Sequence, residues 1–66
     1  VRITVNGEAR TIDDGANVVD VITMLGAPKS GVAVAVDGEV VRRADWGLHR
    51  LADGASVEVL TAVQGG

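Results

Sequence analysis

Apolar and polar residues alternate at the start of the chain, where Arg2 and Thr4 separate Val1, Ile3 and Val5. A two-residue period predicts a half-buried strand. Asn6-Gly7 follows, a pair favoured in tight hairpin turns because both central residues need positive φ. Glu8 to Ile12 is expected to return antiparallel, and Asp13-Asp14-Gly15 to break the strand. The period then changes. Val18, Val21, Ile22 and Leu25 fall at the i, i+3, i+4, i+7 spacing of one helix face. Asn17 suits the N-cap, with Asp20 close to the positive helix end. Gly26 suits the position just past the helix, and Pro28 prevents its continuation. The β-branched residues in this segment are mediocre helix formers, so docking on a sheet should supply most of its stability.

Alternation resumes at Val32, Val34 and Val36, which face one way, with Ala33 and Ala35 facing the other. Asp37-Gly38 reads as a second tight turn, leading into a short strand. Residues 42–54 read as irregular, with a short 3₁₀ turn around Ala44 to Trp46. The last strand begins at Ser56. Its period puts Val57, Val59 and Thr61 on one face and Glu58, Leu60 and Ala62 on the other. No linker, internal repeat or low-complexity stretch interrupts this order. Hairpin, helix, strand pair and final strand fit a four- to five-stranded mixed sheet with one helix packed across one face. The second strand reaches the third through the helix, as a βαβ crossover requires. The expectation is an α+β fold of β-grasp type over residues 1–62, with a flexible tail over 63–66.

Composition narrows the chemistry. At 66 residues one domain is expected, with stability on the order of a few kcal/mol. Cysteine is absent, which excludes disulfides and thiolate metal sites. The six Lys and Arg are scattered and the formal net charge is −3, which weighs against nucleic-acid binding. No apolar run reaches the roughly 20 residues of a membrane span, and no signal peptide is visible. A cytoplasmic setting is expected.

Side-chain catalysis finds little support. Ser30 and Ser56 have one candidate base, His49, on a separate loop, whereas triad chemistry needs an oriented base and an oxyanion hole. His49 has no spaced second ligand for a metal and reads as a solvated loop residue. Asp13-Asp14-Gly15 and Asp37-Gly38-Glu39 lack the remaining ligands of a calcium loop, and turn chemistry explains both. Trp46, the single aromatic, could touch a partner, but filling the core beneath its loop is favoured. That leaves Ala62-Val63-Gln64-Gly65-Gly66. Two glycines add nothing to a core and lose the most backbone freedom on ordering. Either this end is slack, or the Gly66 carboxylate is a working group.

A resemblance to a known family favours the second. "VNGE" in the first hairpin, "DGANVVDVI" leading into the helix, "GVAVAVDGEVV", "RADW" and "LADGASVEVLTAVQGG" together resemble the ThiS/MoaD sulfur-carrier family, which has the ubiquitin-like fold. The likeness covers essentially the whole chain and is strongest to the thiamin-pathway branch. Arg42 stands where that family often has proline, a departure expected to affect only local loop stiffness.

The resemblance implies a carrier, not an enzyme. An E1-like adenylating enzyme using MgATP would activate Gly66. Sulfur from a cysteine desulfurase system would convert it to a thiocarboxylate, and thiazole synthase would consume that sulfur to build the thiazole of thiamin. No cofactor is expected on the carrier itself. Gly65, Gln64 and Val63 would thread into the partner. Leu60 and Ala62 would dock it, provided the helix covers the opposite, Val57/Val59 face. Alternatives are a molybdopterin-synthase carrier with the same tail chemistry, a lysine-conjugating modifier (only Lys29 is available for chain building), and an interaction module with an idle tail.

Overall fold

The computed structural model describes residues 1–27 and 31–61. In chain order it holds β1 (Arg2–Val5), β2 (Glu8–Thr11), α1 (Val18–Leu25), β3 (Val32–Val36), β4 (Glu39–Val41), a 3₁₀ turn (Arg43–Asp45) and β5 (Ser56–Thr61). The five strands form one sheet in the order β2-β1-β5-β3-β4. β1 and β5 run parallel, and the other neighbours are antiparallel. The last strand of the chain therefore lies at the centre of the sheet. β2 and β3 point the same way and are joined over one face by α1. This is the β-grasp arrangement expected from the order of elements.

Local chemistry sets the element boundaries. Asn6 and Gly7 have φ of 51° and 84°, and Asp37 and Gly38 have 51° and 85°. Each pair thus supplies the two positive φ values that a tight turn between right-twisted strands requires. At the start of α1, the Asn17 side chain accepts from the Asp20 amide at 2.9 Å and the Asp20 carboxylate accepts from the Asn17 amide at 2.9 Å. This reciprocal pair satisfies amides that the first turn leaves without partners. At the other end Gly26 is left-handed at φ 69°, and it and Ala27 donate to Thr23 and Ile22. The helix ends there because a left-handed residue closes the last carbonyls.

α1 buries Val18, Val21 and Ile22 against Ile3 and Val5 of β1, Val57 and Val59 of β5, and Val34 and Val36 of β3. Leu25, on the same helical face, is half-buried and packs at the margin of this core. The irregular segment after β4 completes it with Trp46, Leu51 and Ala55. That segment is tied to the start of α1: Val18 donates to His49 O at 3.2 Å, Leu51 to Ala16 O at 2.9 Å, and Asn17 Nδ2 to Gly47 O at 3.2 Å.

Three details differ from the sequence expectation. The 3₁₀ turn spans Arg43–Asp45, one residue earlier than Ala44 to Trp46. The Asp45 amide closes on the Arg42 carbonyl at 2.8 Å, so the turn starts where β4 lets go. Thr61 shares the inward parity of Val57 and Val59 but is exposed at the strand end. Ile12 lies just outside β2 and is half-buried against the core.

Candidate functional site

With α1 on one side only, the other face of the sheet has no layer over it among the described residues. Strand parity decides what it shows. Leu60 pairs with Ala33, Glu58 with Ala35, and Ala35 with Val40 across the β5-β3-β4 half of the sheet. These residues share the uncovered face, opposite Val34, Val57 and Val59. Leu60 is 64% exposed and Val40 77% exposed. Ala33 is exposed and Ala35 half-buried. Flanked by small alanines, Leu60 and Val40 stand out from a shallow floor. A depression of about 330 Å³ lies at the end of β5, lined by Gly31, Val32, Ala33, Leu60 and Thr61. Leu60 and Val40 are thus large apolar side chains exposed together on one face.

Leu60 lies on the face opposite Val57 and Val59, as strand parity predicts. Ala62, Val63, Gln64, Gly65 and Gly66, assigned to docking, threading and reaction, lie outside the described residues, as does the expected boundary between residues 62 and 63. Val40 was not anticipated at this face. Its signal was the register of β4 on β3, since Val41 points into the core and its neighbour must point out.

The remaining candidates fall elsewhere. Trp46 is 5% exposed and its Nε1 donates to Val41 O at 3.0 Å, so it is a core residue with its one polar atom satisfied. His49 belongs to the segment docked at the start of α1, where its carbonyl accepts from Val18. Ser56 opens β5 and shares the parity of Glu58 and Leu60 on the uncovered face. The structure therefore does not bring His49 and Ser56 together as a nucleophile and base. Ser30 is outside the described residues. Among the described residues no three His, Asp or Glu side chains gather as a metal site, and no helix is long and apolar enough to cross a membrane.

Fold and exposed face together define a small β-grasp protein whose last strand runs through the centre of the sheet and carries an open apolar flank. The chain belongs to the ThiS family, whose model matches residues 3–66. It is similar to a crystal structure of the thiamine biosynthesis protein ThiS from Geobacter metallireducens. That likeness has 32% identity, a TM-score of 0.83 and full coverage of both chains. The solution structure of a thiamine biosynthesis protein from the same organism is 33% identical with a TM-score of 0.80, covering all of this chain and 88% of that one. No curated protein matches the sequence.

Proposed function

We propose that this protein is a sulfur carrier in thiamin biosynthesis, with the carboxylate of Gly66 as the group that is loaded. The observation that carries this reading is the extent of the family match, which runs through residue 66 and so includes Gln64-Gly65-Gly66. The open face around Leu60 supports it, because a carrier must be gripped by its partners while its end reacts.

The chemistry follows from the carboxylate. An anion is a poor electrophile, since attack adds charge to charge. An E1-like adenylating enzyme removes that obstacle: a Gly66 oxygen attacks the α-phosphorus of MgATP and pyrophosphate leaves. The acyl-adenylate has AMP as a good leaving group. Sulfur originating in a cysteine desulfurase system and delivered at the level of sulfide displaces AMP, giving a thiocarboxylate. Thiazole synthase then takes that sulfur. Gly65 and Gly66 carry no Cβ, so the end can pass through a narrow channel as an extended thread and present an unhindered carbonyl carbon. In this reading the protein is a group carrier whose handle is its own main chain. The docking flank comprises Leu60, Ala33 and Val40; Ala62, assigned to it by sequence parity, lies outside the described residues.

The test is ATP–pyrophosphate exchange with the adenylating enzyme, using protein that ends at Gly66 and protein lacking Gly66. The full chain supports exchange. The shortened chain does not, while its urea midpoint stays the same, because the deletion lies beyond the last packed strand. Normal exchange by the shortened chain overturns the proposal.

A further inference from the structure

The central strand is gripped by side chains from both hairpin turns. Each turn opens on a residue at φ 51°, Asn6 or Asp37, and each of these reaches β5. Asp37 holds the beginning of the strand: its amide donates to Ser56 O at 2.8 Å and its carboxylate accepts from the Ser56 amide at 2.9 Å. Asn6 holds the far end. Its amide donates to Val57 O at 2.9 Å, its Oδ1 accepts from the Val59 amide at 2.9 Å, and its Nδ2 donates to Val59 O at 3.2 Å.

The geometry at Val59 is that of a missing strand residue. β1 ends at Val5 and the chain turns away at Asn6-Gly7. The Asn6 carboxamide, with one acceptor and one donor in a plane, extends the β1 side of the ladder by one more position. A carboxylate there would set an acceptor against the Val59 carbonyl. Glycine would keep the turn, since it tolerates positive φ, but would lose both bonds. Val59 is three residues before Ala62, so this clamp is the last side-chain hold on β5 among the described residues.

We propose that Asn6 is a positioning residue for the C-terminal tail: its carboxamide clamps Val59 and thereby fixes the direction in which the chain leaves the sheet toward Gly66. This rests on the reading of Gly66 as the reacting group. Without the clamp β3 still holds Leu60 beside Ala33, so the docking flank is retained, but Val59 loses its partners on the β1 side of the strand. The loss therefore falls on kcat of adenylation more than on KM.

The experiment compares wild type with Asn6→Gly, Asn6→Asp and Asp37→Gly by two readouts. Amide hydrogen exchange of the free protein is read at Val59 and Leu60, relative to the most protected core amides. ATP–pyrophosphate exchange is read as kcat and KM. Asn6→Gly is expected to speed relative exchange at Val59 by roughly tenfold or more, the scale of two lost hydrogen bonds, with Leu60 still held by its pairing to Ala33, and to lower kcat with KM nearly unchanged. Asp37→Gly, which frees the opposite end of β5, lowers global stability but leaves both quantities near wild type. Asn6→Asp is defective at neutral pH and recovers toward wild type, compared at each pH, as acidification protonates the carboxyl and lets it donate to Val59 O. A wild-type protein that is never adenylated rejects the carrier reading, while hydrogen exchange still decides whether Asn6 fixes the strand end. Unchanged relative exchange in Asn6→Gly overturns the clamp. Faster exchange at Val59 with wild-type kcat overturns its role in presenting the tail.

Discussion

Arg42 stands between β4 and the 3₁₀ turn with φ −66° and ψ 145°, backbone angles that proline adopts without strain. Its carbonyl, not its amide, closes the turn onto Asp45, and Val41 before it is extended, as a residue preceding proline must be. Arg42→Pro is therefore expected to stabilise the domain by about 0.4–1 kcal/mol, by removing conformations from the unfolded chain. A urea melt with unchanged slope and a raised midpoint checks this. Ile22 behaves oppositely. It is 2% exposed, at the centre of the helix-sheet contact, and Ile22→Ala should cost about 2–5 kcal/mol through lost burial and a cavity. That is a large share of the stability of so small a domain, and a melt within about 0.5 kcal/mol of wild type would mean the buried face is misassigned. Residue roles were legible wherever one periodicity governed them. Asn6 was legible as a turn residue only. Its second role depends on β5 passing beside the turn, a contact between residues 53 positions apart that no local pattern encodes.

At the scale of elements, periodicity and turn chemistry were sufficient for β1, β2, α1 and β3, because each is bounded by a residue that imposes its own geometry: Asn6-Gly7, Asn17, Gly26 and Asp37-Gly38. The segment after β4 was less legible. Its fold comes from the burial of Trp46 and from bonds to Ala16, Asn17 and Val18, all long-range, so the 3₁₀ turn could be expected but not placed to the residue. β5 carries the functional consequence of strand parity. Val57 and Val59 hold the core while Glu58 and Leu60 face outward on the same strand. Leu60→Glu should leave the free protein within about 0.5 kcal/mol of wild type, as an exposed substitution. In the complex it would bury a charge without a partner, and the dissociation constant for the adenylating enzyme should rise roughly tenfold or more. Calorimetry on the two variants reads this directly. Wild-type affinity would place the docking surface elsewhere.

The molecule as a whole is built around its last strand. β5 packs between β1 and β3, buries Val57 and Val59 under α1, and is gripped by both turns, while Glu58 and Leu60 face outward, uncovered by any described residue. The order of elements conveyed a mixed sheet with one helix across it, but not the central place of β5, which rests on its pairing with β1 some 50 residues away, a contact no local pattern encodes. The sequence conveyed the tail only through family likeness, since glycines carry no periodicity. Loading of Gly66 with sulfur is read by mass spectrometry of the protein purified from its native host, with fragmentation of the C-terminal peptide. The expected result is a population in which one sulfur replaces one oxygen, confined to Gly66 and absent when the adenylating enzyme is deleted. A tail that carries only oxygen, in cells making thiamin with that enzyme intact and thiazole synthase removed so that loaded carrier accumulates, would contradict it.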